Sequence, residues 1–159
     1  KNMFNLFFRK DHKISYNPII DAVNELSSKK IGALIVFEKN QVIDEYINAS
    51  GEIIDSVISA KILVTCFWQN TPLHDGAVII RKNRIYAAKV VLPLSKNTDY
   101  SDKLGTRHLA ALGIAEVSDA YCIVVSEQTG KISFAAHHEI KSGISIEELL
   151  QLLSDEEKK

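Results

Sequence analysis

The sequence predicts an α/β domain of mixed α+β character: a central mixed β-sheet flanked by helices on both faces, in three layers. Two observations carry this. Apolar, largely β-branched runs at residues 31–37, 77–80, 85–92 and 121–125 read as strands buried on both sides. Helical spacing of apolar residues separates several of them, while short polar turns at 82–84 and 127–130 join neighbours as hairpins, so antiparallel pairs mix with parallel ones. The 159 residues fit one domain with a sizeable core, and no internal repeat or linker divides them.

In chain order, Ser15 or Asn17 can cap a first helix whose opening turn tolerates Pro18, and Ile19, Ile20, Val23 and Leu26 recur at helical spacing. Residues 31–37 (IGALIVF) come next as a buried strand with Gly32 as its small position. Residues 42–47 read as a weaker, edge-like strand, broken by Ser50 and Gly51. From 53 to 68 the pattern is mixed, with a helix best placed at 59–67, turning Ile62, Leu63, Cys66 and Phe67 inward. The hairpin of 77–80 and 85–92 ends at Pro93. A polar loop of about a dozen residues then leads to Leu104, a length that in compact domains usually marks function. Thr106 is a good N-cap for the next helix, whose Leu109, Ala110, Leu112, Ile114 and Val117 make a broad apolar face. A second hairpin joins 121–125 to 132–136. Ser145 caps a short helix over 146–153, and residues 154–159 form a charged tail.

Composition bounds the function. Hydrophobic content of 46% with 25% charged residues is that of an ordinary globular protein. A net charge of −1, from 19 Lys plus Arg against 20 Asp plus Glu, lacks the basic excess of a nucleic-acid binder, so no nucleic-acid partner is expected and any anion site is local. The stretch from Arg81 to Arg107 holds seven bases and two acids and is locally positive. Cys66 and Cys122 sit in apolar surroundings without zinc or redox spacing and read as buried thiols of a reducing compartment. No apolar run approaches the ~18 residues of a membrane helix, so this chain is expected in the cytoplasm. Residues 1–16 stand apart: Phe4, Leu6, Phe7 and Phe8 precede Arg9 and Lys10, as would suit a fragment cut just cytoplasmic of the membrane anchor of a longer protein. A tag remnant with a docked terminal segment explains the same residues equally well.

Three clusters could carry chemistry. In NTPLHDGAVIIR (residues 70–81), His74, Asp75 and Gly76 sit where a loop feeds a core strand. An unpaired carboxylate there would be costly to desolvate and calls for backbone donors, a cation or a reacting hydroxyl, although an isolated Asp-Gly pair also reads as turn chemistry. If Thr106 caps its helix, the first-turn amides, a hydroxyl, the Arg107 guanidinium and the His108 imidazole converge at the positive end of the helix dipole beside Gly105. That would be a phosphate cradle, against a plain reading of cap, surface base and core histidine. Ser126, Glu127 and Thr129 end a core strand, where turn chemistry explains them as well as ligand binding does. Hard cations are held by one or two carboxylates plus substrate phosphates, so Asp75 and Glu127 could share Mg²⁺ or Mn²⁺, with His74 open to the softer Mn²⁺. Adjacent His137 and His138 read as surface residues. P-loop, dinucleotide, nucleophile-elbow and zinc signatures are absent. The remaining features describe phosphoryl or nucleotidyl transfer, with Asp75 as base, Arg107 and helix amides on phosphates, and a metal neutralising charge.

Four stretches then match a known pattern. PLHDGAVII at 72–80, LPLS at 92–95, LGTRHLAALGIAEVSDA at 104–120 and VVSEQTGKIS at 124–133 resemble the diadenylate cyclase domain, in order, over roughly residues 31–133. The domain as a whole is set at residues 17–153. The resemblance implies one ATP per protomer and a face-to-face homodimer. In it each ribose 3′-hydroxyl attacks the other nucleotide's α-phosphate, giving cyclic di-AMP and pyrophosphate with Mg²⁺ or Mn²⁺. It also implies that Asp75 activates the hydroxyl, with Gly76 and Ala77 shaping its approach. Leu104, Gly105, Thr106, Arg107, His108 and Ser126 would bind ATP, and Gly32, Ala33 and Leu34 would line the adenine pocket. His74, Asp75 and Glu127 would hold the metal. Three positions depart from the family: Leu109 stands where Arg is common, Gln128 where a second Glu is often found, and Val91 where some members stack a tyrosine on adenine. A non-catalytic adenine-nucleotide sensor and a metal-dependent phosphohydrolase are the competing classes.

Overall fold

The computed structural model describes residues 14–159, so the expectations for the Phe-rich start lie outside the described residues. In chain order the elements are α1 (Asn17–Ser28), β1 (Ala33–Phe37), α2 (Asp44–Ser50), β2 (Glu52–Val57), α3 (Ala60–Phe67), β3 (Ala77–Arg81), β4 (Arg84–Val90), α4 (Thr106–Val117), β5 (Tyr121–Val125), β6 (Ile132–Ala136), β7 (Glu139–Ser142) and α5 (Ile146–Lys158). One sheet takes the order β2-β4-β3-β1-β5-β6-β7. β1 and β3 run parallel, with Ile35 opposite Val78, and the remaining neighbours are antiparallel.

Alternation along β1 sorts the molecule into layers, because successive side chains of a strand point to opposite faces. Ala33, Ile35 and Phe37 enter one core with Ile19, Val23 and Leu26 of α1, Leu63 and Phe67 of α3, and Leu149 and Leu153 of α5. Leu34 and Val36 enter the other with Ile43 and Ile47 beside α2 and Ala111 and Ile114 of α4. The expected mixed sheet with helices on both faces is what forms. Cys66 and Cys122 are both free and buried.

Several local expectations are corrected. Residues 42–47 are not an edge strand: Ile43 and Ile47 are both buried one helical turn apart, and Asp44 and Glu45 favour the positive end of α2. β2 and β7 are additions to the expected strands, since both are edge strands with largely exposed side chains and so show little apolar alternation. Tyr16, rather than Ser15 or Asn17, occupies the cap position of α1 and makes no side-chain cap. Its hydroxyl instead lies 2.9 Å from that of Tyr121. Ser145 caps α5 as expected, through Glu148 N–H at 3.1 Å. The helix continues to Lys158, however, because Glu156 is buried and bound by His137 Nε2 at 2.8 Å, with Lys159 Nζ at 3.1 Å.

Two glycines permit close backbone contacts around the long loops. Gly76 has φ +132°, and a Cβ there would lie 2.7 Å from the carbonyl carbon of Lys89. Lys89 itself has φ 59°, and the β3–β4 register shifts at this point, so a bulge of β4 presses against the residue after Asp75. A Cβ on Gly113 would lie 1.8 Å from the Pro93 carbonyl oxygen. The chain leaving β4 therefore straps directly across α4. Ser95 N–H donates to Leu109 O at 2.9 Å, and its hydroxyl donates to Glu116 Oε2 at 3.0 Å.

Candidate active site

The sheet brings the separate motifs to one end. Ala33 pairs with Val125, so β1 starts where antiparallel β5 ends, and parallel β3 starts at that same end. Gly32, the Asp75–Gly76 pair and the Ser126–Glu127 turn thus gather there. His137 and His138 occupy the turn at the opposite end, both exposed, as expected of surface residues.

α4 opens towards this end without a side-chain cap. Gly105, at φ −74° and ψ 175°, holds the cap position, and its carbonyl accepts from Leu109 N–H at 3.0 Å. Thr106 is therefore not the cap. It is the first helical residue, exposed, with no cap bond to occupy its hydroxyl. The amides of the first turn are left to face an anion, where the helix dipole favours one.

Arg107 extends from that turn across Gly32: a Cβ on Gly32 would sit 2.5 Å from Arg107 Nη1 and 2.7 Å from Cζ. The glycine is the seat of the guanidinium. Nη1 lies 3.4 Å from Glu127 Oε2, while Nε is buried without a partner, alone in this among side-chain nitrogens and oxygens of the described residues. An orphaned charged donor of this kind costs free energy until an acceptor reaches it. His108 is half-buried. Burial, and secondarily the Arg107 charge, hold its imidazole below the ordinary value of 6.5, so it is neutral at pH 7.

Two clefts meet at the Arg107–Glu127 pair. The larger, about 290 Å³, runs from Leu104 and the α4 mouth past Ser126 and Glu127 to Lys131, Ser133 and Ser142. The smaller, about 210 Å³, lies between Gly32, Phe67, Asn70, His74 and the pair. Ser126 Oγ accepts from the N–H groups of Gln128 and Thr129, each at 3.2 Å, closing the turn, and its proton remains to be donated. The Asp75 side chain is exposed and lines neither cleft, so the expected desolvated carboxylate is corrected; Gly76 beside it packs against the β4 bulge. Ala77 is fully buried at the start of β3. Ala33 and Leu34 are also buried and reach neither cleft, unlike Gly32. Val91, 64% exposed, stands on the surface after β4.

His74 Nδ1 lies 2.7 Å from the Thr71 carbonyl, which can only accept, so Nδ1 carries the proton and Nε2 keeps its lone pair. His74 and Glu127 face one cleft without Asp75, and no three His, Cys, Asp or Glu side chains among the described residues form a preassembled cation cage. These residues suit a hard cation whose shell is completed by oxygens of a bound polyphosphate. The walls built by Phe67, Gln69 and Asn70, and the floor at Lys131, Ser133 and Ser142, go beyond the residues that sequence singles out. Asn70, Lys131 and Ser133 fall within the quoted stretches without being singled out there, and the register that assembles these residues is invisible in sequence.

Comparisons with known proteins bear on the fold and on the chain as a whole. The family model described as DisA bacterial checkpoint controller nucleotide-binding (DAC) matches residues 20–140. The chain is 42% identical over 141 residues to cyclic di-AMP synthase CdaA of Bacillus subtilis, covering 89% of the chain and 51% of that protein. To a diadenylate cyclase of Listeria monocytogenes it is 42% identical over 158 residues, covering 96% and 58%. The chain thus spans little more than half the length of these curated relatives. Among solved structures, a double mutant of DacA from Staphylococcus aureus superposes with a TM-score of 0.84 at 45% identity, over 87% of this chain and 92% of that one. A hypothetical membrane spanning protein from Bacillus cereus superposes at 0.74 and 40% identity, over 82% and 64%. No helix of the described residues is long and apolar enough to cross a membrane.

Proposed function

The chain belongs to the DAC family of nucleotide-binding domains, and from that premise we propose that it condenses two ATP into cyclic di-AMP and two pyrophosphates, two copies meeting face to face. The observation that carries this reading is the Arg107 guanidinium, its buried Nε without a partner, beside the uncapped first turn of α4, a donor set suited to phosphate. Arg107, the first-turn amides and the Thr106 hydroxyl take the phosphates, and neutral His108 offers a further hydrogen bond. Leu104 forms part of the same cleft wall.

Asp75 receives the proton of a ribose 3′-hydroxyl. The hydroxyl oxygen then bonds to the α-phosphorus of the other nucleotide, and the α–β bridging P–O bond breaks, its electron pair leaving with pyrophosphate. The same exchange in the reverse sense closes the ring. Because Asp75 stands outside the clefts, one chain holds a nucleotide and a base but not the second nucleotide, and Asp75 is half of an active site. A divalent cation, Mg²⁺ or Mn²⁺, would be held by His74 and Glu127 together with oxygens of the nucleotide, Asp75 standing outside that cleft, and would supply neutralisation of the charge on the departing phosphates. Membrane attachment through an N-terminal segment absent from this chain accords with the relative described as membrane spanning.

The test is the product made from ATP and Mn²⁺ or Mg²⁺. Cyclic di-AMP with pyrophosphate is expected. Orthophosphate release without a cyclic product would replace this reading with a phosphohydrolase, and binding without turnover with a nucleotide sensor.

A further inference from the structure

The larger cleft does not end at the helix mouth. Its floor is Ser133 on β6, directly opposite Ser142 on β7 and Val124 on β5. Opposite residues of antiparallel strands share a face, and for Val124 and the nearby Ala135 that face is the apolar core beneath α4. Ser133 is thus a hydroxyl with hydrocarbon on its β5 side and the Ser142 hydroxyl as its polar neighbour across the β6–β7 pair. It is 1% exposed, and it is not among the buried polar atoms sealed from solvent without a partner, so the small area it keeps opens into the cleft. A polar group so placed needs an acceptor or donor. Within the protein, no side-chain hydrogen bond among the described residues supplies one, and this is independent of the open amides of α4.

The charges around it define the ligand. Lys103, Arg107 and Lys131 line the cleft against a single acid, Glu127, and Arg107 already engages that acid. Three cations, the five hydroxyls of Thr106, Ser126, Thr129, Ser133 and Ser142, and a row of amides in one cleft suit a ligand with several phosphates in series, more than a lone anion would use. We propose that Ser133, Ser142 and Lys131 form a subsite for the terminal diphosphate of the nucleotide, gripping it before transfer and as pyrophosphate afterwards. The subsite rests on the cyclase reading for the identity of the nucleotide, and it makes the floor of the cleft the feature that distinguishes a triphosphate from a monophosphate.

Competition of inorganic pyrophosphate, ATP and AMP against a non-hydrolysable fluorescent ATP analogue tests this on the wild-type chain, Ser133→Ala and Lys131→Met. Each variant is expected to weaken pyrophosphate and ATP by roughly tenfold while AMP stays within about twofold, the size expected for one hydrogen bond to a charged group. Equal weakening of AMP, or unchanged pyrophosphate binding, overturns the subsite. Lys131 is exposed, so its variant keeps the test decisive if the buried serine proves intolerant. Product analysis on the same samples separates the two failures. Cyclic product with pyrophosphate binding untouched in both variants sinks the subsite alone, whereas selective loss of pyrophosphate in a chain that makes no cyclic product leaves the subsite standing and sinks the cyclase reading.

Discussion

A methyl group at position 32 would take the space of the Arg107 guanidinium. The clash is with the far end of a flexible side chain and not with backbone, so Gly32→Ala should displace Arg107 while leaving the fold in place. By calorimetry, ATP affinity should fall about tenfold or more, with the melting temperature shifted by only a few degrees, roughly. A variant that binds ATP normally would show that Arg107 does not act from this seat. Gly32 is legible in sequence as a position of close approach, but its neighbour turns out to be a side chain 75 residues along, and Ala33 and Leu34 line neither of the two clefts that meet at Arg107. His108 carries a pH prediction. Its folded-state value lies below the 6.5 of the unfolded chain, so its contribution to stability is complete above that pH and declines below it, where the unfolded chain takes up the proton first. A bound phosphate favours the imidazolium instead, so ATP binding near pH 6 should take up protons, read as a dependence of binding enthalpy on buffer ionisation. His108→Gln should reduce that uptake, and an unchanged buffer dependence would remove His108 from the phosphate site.

The strap across α4 depends on Gly113, since a Cβ there meets the Pro93 carbonyl and both sides of the contact are backbone. Gly113→Ala should lower stability by about 2 to 4 kcal/mol in chemical denaturation, an overpacking cost that neither element can relax. A wild-type midpoint would mean that the strap is easily moved. The same elements show where sequence is readable. β1, β3, β5 and β6 are buried almost throughout and, but for Arg81 at the end of β3 and Ser133 in β6, apolar, which announces a strand. β2 and β7 lie at the two edges with largely exposed side chains, and α2 spans only seven residues, too few for a helical period to outweigh β-branched Val42 and Ile43. At the α4 mouth both Gly105 and Thr106 are acceptable caps by residue type, and backbone angles alone assign Gly105. Asp75 is exposed, and the Gly76 that follows it packs against the Lys89 bulge on a neighbouring strand, a register effect that no local pattern encodes.

The three layers place every motif of the site at one end of the sheet, with Asp75 facing out from it. On the proposed reaction two copies must face each other, so product formation at high dilution should rise with the square of protein concentration. Strict linearity from a monomeric species would contradict the paired site. Substituting Asp75 is the most direct measurement, because the side chain is exposed and its loss should disturb neither cleft. Pyrophosphate release and cyclic product from ATP should be abolished in Asp75→Asn while ATP affinity stays close to that of the wild type. Normal turnover by this variant would contradict the account at its centre.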